Sequence, residues 1–154
     1  MQQFQDNLAK AIRHLQIADH MAYVTYPLIN DRRLILKIFE EIYQSIINLI
    51  IAIVDYETFS KDLNILKHEE EKIKRFFDIY SRNHLTVEQI IKIKEIIEIN
   101  QKHKQSAVEF IRKDRIIIML DNLKTHSLDI KTIKSYLLTA KEFLMRINKL
   151  MKRE

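Results

Sequence analysis

Apolar residues recur along most of this chain at spacings of three and four, the period of an amphipathic helix. Phe4, Leu8, Ala11, Leu15, Ala18 and Ala22 form one such stripe and predict a first helix from about Phe4 to Tyr26. Pro27 disfavours helical geometry at the residue before it, so this helix is expected to stop at Tyr26. Asn30 or Asp31 is then placed to cap a second helix by accepting from free amides of its first turn. That second helix, about Arg32 to Phe59, is the most apolar. Lys37, Glu41, Gln44, Asn48 and Asp55 fall largely on one stripe, while Ile42, Ile46, Ile47, Leu49, Ile50, Ile51, Ile53 and Val54 cover the rest. A helix with so broad an apolar surface must be covered on several sides, by its own chain or by another subunit.

A weaker third helix is expected over about Asp62 to Arg82, with Leu66, Ile73, Phe77 and Tyr80 on one stripe and His68-Glu69-Glu70-Glu71 as a charged interruption. Thr86-Val87-Glu88-Gln89 reads as a capping box opening a fourth helix that carries Ile90, Ile93 and Ile97 to about Lys104. The last helix, about Asp129 to Lys152, has the cleanest period: Ile130, Ile133, Leu137, Ala140, Leu144, Ile147 and Met151 form a heptad-like seam. Between the fourth and last helices, Ile116 to Leu120 is a β-branched apolar run. It is followed by Asp121-Asn122 and then by alternation from Leu123 to Ser127. Asp and Asn tolerate tight-turn geometry, so a two-stranded hairpin is expected over about residues 115–127, lying against the helices because a lone hairpin is marginal. The fold class is therefore mostly α: one domain spanning residues 1–154, a four- to five-helix bundle with a small β-hairpin insert.

Composition narrows the chemistry. The 154 residues include no Gly and no Cys. Absence of Gly removes the phosphate-cradling loops, dinucleotide fingerprints and nucleophile elbows that depend on it. Absence of Cys removes disulfides, thiolate metal sites and thiol nucleophiles. The net charge of +5 is uneven: residues 1–60 sum to −2, residues 61–104 to +2 and residues 105–154 to +5. A basic third is compatible with an anionic partner such as nucleic acid. The first ten residues hold no apolar run, and Ile46 to Val54, the longest apolar stretch, is broken by Asn48, so neither a leader nor a membrane span is expected and the expected location is cytoplasmic.

Few constellations suggest catalysis. No His has an acidic residue three positions before it and no two His are four apart, so the helical dimetal pattern is missing and neither metal nor cofactor is expected. Arg13 and His20 fall about 20° apart on the first helix, two turns separated. Their Arg-x6-His spacing resembles one variant of the motif of HEPN-type ribonucleases, helical bundles that cut RNA without metal. The resemblance implies Arg13 as a stabiliser of phosphate charge and His20 as acid or base, although that family carries the motif late in its bundle rather than in the first helix. Asp19 falls beside Leu8, Ile12 and Leu15 and is expected to be buried against a partner such as Arg32, Arg33 or Tyr43. Arg112, Lys113, Arg115, Lys124 and His126 flank the expected hairpin and form a candidate nucleic-acid surface.

The segment Ala18-Asp19-His20-Met21-Ala22-Tyr23-Val24-Thr25-Tyr26-Pro27-Leu28, with Val108 to Arg115 further on, resembles stretches in small uncharacterised archaeal helical proteins. That resemblance implies an archaeal source and a one-domain architecture and brings no activity with it. It marks Tyr23 and Tyr26 as candidate surface residues. The functional expectation is a non-enzymatic helical interaction module that self-associates as a homodimer through the apolar faces of the second and last helices. The alternatives are an RNA-binding or HEPN-like ribonuclease protein and a regulator that sequesters a partner helix.

Overall fold

The computed structural model describes residues 2–64, 66–105, 109–112, 115–119 and 125–152. Its axis is α3 (Arg33–Ser60). Ile35, Ile38, Phe39, Ile42, Ile46, Leu49, Ile50 and Ile53 of this helix are all fully covered. The cover comes from α1 (Gln2–His20), α4 (Glu69–Arg75), α6 (Val87–Gln105), α7 (Ile130–Lys152) and a small sheet. Each large aliphatic side chain so enclosed contributes about 1.5–3 kcal/mol of transfer free energy. These residues of the most apolar helix are thus covered by other elements of the same chain. Small residues set the closest crossing. Ala11, Ala18 and Ala22 lie on the inner side of the first helical segment, and buried Ser45 of α3 donates to the Ala11 carbonyl at 2.8 Å.

The expected stop at Tyr26 is corrected: the helical path runs on past Pro27. After α1 the chain makes a π-helical turn (Met21–Thr25) and then α2 (Tyr26–Ile29), and the Tyr26 amide donates to the Met21 carbonyl, five residues back. In α geometry the proline ring would press on the carbonyl of Tyr23, and the wider turn just ahead of it takes up that crowding. Asn30, in the left-handed region at φ 55°, ends the helix, and the Asp31 carboxylate accepts from the Arg33 amide at 3.0 Å to cap α3.

The third helix also begins elsewhere than expected. Residues 61–64 and 66–68 are not helical, and Asp62 takes φ 53°. The charged run Glu69-Glu70-Glu71 is the first turn of α4 rather than an interruption. Three carboxylates there complement the exposed amides of a helix N-terminus, and Lys72, Lys74 and Arg75 complement its other end. A second π-helical turn (Phe76–Tyr80) leads into the short α5 (Ser81–His84). The capping box forms as expected: the Thr86 amide donates to Gln89 Oε1 at 3.0 Å, and the Gln89 amide to Thr86 Oγ1 at 3.2 Å.

The hairpin is present and gains a strand. β1 (Glu109–Arg112), β2 (Arg115–Met119) and β3 (Thr125–Asp129) form an antiparallel sheet in that order. Ile118 stands opposite both Glu109 and His126. Alternation puts Ile116, Ile118 and Leu128 on the face that packs against the helices, where all are buried. No helix among the described residues is long and apolar enough to cross a membrane.

Candidate functional site

Helix α7 starts where the Asp129 carboxylate accepts from the Thr132 amide at 2.7 Å. Its inner face delivers Ile133, Leu137, Ala140, Phe143 and Ile147 to the core. On its outer and flanking sides, Lys131, Lys134, Leu138, Lys141, Met145, Lys149 and Lys152 succeed one another at steps of three and four, Lys134 and Lys141 partly covered and the others exposed. They form a strip about 30 Å long at 1.5 Å per residue. Leu138 and Met145 are 56% and 59% exposed, solitary apolar side chains among cations. The helix carries six basic residues against one acidic, Glu142, a net +5 equal to that of the whole chain. Everything outside α7 balances to zero.

Flanking contacts hold the strip in place. On the α6 side Lys92 donates to Ser135 at 2.9 Å and Gln89 to Glu142 at 2.5 Å, so the single carboxylate of α7 is already engaged. Beside them a groove of about 450 Å³ opens between the start of α6 and α7, with Met145, Arg146 and Lys149 along its wall. On the other side, the ammonium groups of Lys134 and Lys141 lie 4.7 and 5.3 Å from the centre of the Tyr23 ring, which is 52% exposed. One Asp19 oxygen meets Lys141 Nζ at 2.5 Å.

The sequence candidates divide against this geometry. Asp19 is corrected from buried to half-exposed, at 45% of its side chain, and its partner is Lys141 rather than Arg32, Arg33 or Tyr43. It stands at the margin of the inward stripe, where α1 meets α7, and not at its centre. Tyr26 is corrected from surface to core at 7% exposure, because the helix continues past Ala22 and keeps the residue one turn on facing inward. Tyr23 is at the surface. Arg13 and His20 are both exposed on the outward face of α1, and neither lines the groove beside α7.

In the sheet, Arg112 and Arg115 stand opposite each other in register and His126 lies in β3. The side chains of these three, and Lys113 and Lys124 entirely, lie outside the described residues. Residues 105–129 hold four basic and four acidic groups, so the hairpin region carries no net charge. Lys131, Lys134, Lys141 and Lys149 are not among the sequence candidates, because the net charge of residues 105–154 by itself does not separate hairpin from helix. The readable signal was their helical spacing on the polar side of the last helix.

Other polar groups are spent on architecture. His14–Glu41 at 2.6 Å, His84–Glu57 at 2.9 Å and His103–Glu40 at 3.4 Å tie α1, α5 and α6 to α3. Burial pushes the Tyr136 phenol well above the usual tyrosine range, reinforced by the charge of Glu95 and a hydrogen bond to it. Burial likewise raises Tyr43, with the Glu69 charge adding to it and a bond to Asn100 opposing. No group of three or more His, Asp or Glu residues suited to a metal ion occurs among the described residues. No protein-family model, curated protein or solved structure matches this chain.

Proposed function

We propose that this chain is a non-enzymatic helical interaction module that binds an anionic macromolecule through the outer face of α7. The observation that carries this reading is the coincidence of the chain's entire net charge, +5, with one helix whose Lys131, Arg146, Lys149 and Lys152 are exposed and whose Lys134 and Lys141 are partly so. A field of that size concentrated on one strip raises the local concentration of anionic partners and speeds encounter.

The test compares two charge reversals by fluorescence anisotropy with a labelled 20-nucleotide RNA and with polyglutamate, from 50 to 300 mM salt. Lys134→Glu/Lys141→Glu/Lys149→Glu should abolish binding, and wild-type affinity should fall steeply with salt. Arg112→Glu/Arg115→Glu/Lys124→Glu should leave most of it. Wild-type protein that binds neither polyanion at 50 mM salt refutes the reading.

Self-association is a second reading, on a different surface. Ile17, Val24, Leu28 and Ile29 are 39%, 45%, 81% and 62% exposed around the end of the first helical segment, Leu28 being the most exposed of the four. A dimer built on this patch would leave the α7 strips free, whereas one built on α7 would press like charges together. Sedimentation at micromolar concentration giving a single species of 18.6 kDa would remove this reading.

A further inference from the structure

We propose that the anionic partner is single-stranded nucleic acid, and that Tyr23 is a platform for one base while Lys134 and Lys141 take the neighbouring phosphates. This rests on the α7 reading above and goes further, from charge to a stated class of ligand. Three features meet at one place. Tyr23 presents half its surface to solvent, both lysine ammonium groups lie within about 5 Å of its ring centre, and Leu138 stands between those lysines on α7 with 56% exposure. The two lysines are seven residues apart on α7, about 10 Å along the axis, yet both ammonium groups converge over the Tyr23 ring, so a stacking base displaces them from the ring and its two flanking phosphates take them up. Nucleotides use all three features, because bases stack on aromatic and apolar side chains while the backbone follows the cations.

The alternatives use less of this surface. A duplex keeps its bases stacked and offers only phosphates to such a site, and α7 is walled by α1 and α6, which prevents it from entering a groove as a recognition helix does. A bilayer needs a continuous apolar face, and that face of α7 is turned into the core, leaving Leu138 and Met145 isolated among lysines. An acidic polypeptide would use the lysines and leave the ring face without a role.

Asp19 gives the site a further property. Its carboxylate already holds Lys141 at 2.5 Å, so an incoming phosphate competes with it for that ammonium. Asp19 therefore positions Lys141 in the free protein and weakens its grip on an anion.

The experiment is anisotropy at 100 mM salt with fluorescein-labelled 12-nucleotide oligo(dT), an abasic oligomer of the same length, a 12-base-pair duplex, polyglutamate and phosphatidylserine vesicles. Tyr23→Ala should weaken oligo(dT) binding by about 5- to 150-fold, the range for losing one stacked base, and leave the abasic oligomer unchanged. Tyr23→Phe should bind like wild type. Asp19→Asn should tighten both oligomers by about two- to five-fold, the range of a half-exposed ion pair. Circular dichroism of each variant checks that helicity is retained.

The inference is overturned if Tyr23→Ala leaves oligo(dT) affinity unchanged, or if duplex, polyglutamate or vesicles bind as tightly as oligo(dT). In those cases the charge-based reading of α7 survives. Absence of binding to every probe overturns both.

Discussion

Lys72 and Asp55 form the most enclosed ion pair among the described residues, and breaking it should be the costliest single polar change in the bundle. The Lys72 ammonium lies 3.0 and 3.2 Å from the two Asp55 oxygens, with side chains 7% and 6% exposed, and joins α4 to α3. Lys72→Met removes the cation, keeps most of the stem's volume and leaves a carboxylate in a site from which water is excluded. An unpaired buried charge of this kind costs about 3–5 kcal/mol, a large part of the 5–15 kcal/mol typical of a domain. With a urea m-value of about 1–3 kcal/mol/M, the midpoint should fall by roughly 1–5 M at unchanged m. The assay is urea unfolding followed by helical circular dichroism. Asp55→Leu/Lys72→Met should recover most of the loss, since it removes both charges and their desolvation together. A Lys72→Met cost below about 1 kcal/mol would falsify the claim that the pair is dry. A double variant as unstable as the single would mean that shape, not charge, sets the cost.

Thr86→Ala deletes the side-chain half of the capping box and should lower stability by about 1 kcal/mol, read as a shift of thermal midpoint; no shift would show that the α6 terminus is held by other contacts. Asp19→Ala should cost at most about 1 kcal/mol because the side chains of its ion pair with Lys141 are about half exposed, although the oxygen in contact is itself shielded, and a loss of several kcal/mol in urea would contradict that reading. Tyr136, raised mainly by burial, stays protonated in the folded chain while the unfolded chain ionises above pH ~10. The unfolded state then binds fewer protons, so stability is complete below pH 10 and declines above it, by up to about 1.4 kcal/mol per pH unit from this residue. Tyr136→Phe should flatten that decline in unfolding curves taken between pH 9 and 11.5, and an unchanged slope would place the effect elsewhere.

Periodicity identified the long helices and the strand character of Ile116 to Ile118, and the Thr86-to-Gln89 spacing identified the capping box, because each depends on neighbours a few residues away. Local rules misled where a longer-range contact outweighed them. Pro27 usually ends a helix, yet a widened turn ahead of it carries helical structure on to Ile29 and keeps Tyr26 in the core. The Glu69 to Glu71 run looked like a break in a helix, but once the preceding loop places α4 against α3 it serves as the helix's first turn.

The site followed the same division. The helical wheel put Asp19 near the apolar stripe, but only the position of α7 determines that its carboxylate meets Lys141 in a half-exposed seam. The total charge of +5 was readable from composition. That it gathers along one side of α7, with two of its lysines converging on the Tyr23 ring, depends on which face of α7 the core claims. Sequence therefore determined the elements and their sidedness through local period and turn chemistry. The tertiary structure decided which polar groups became partners, because the side chains that meet come from different helices, at Asp19–Lys141 and Tyr23–Lys134 more than a hundred residues apart in the chain.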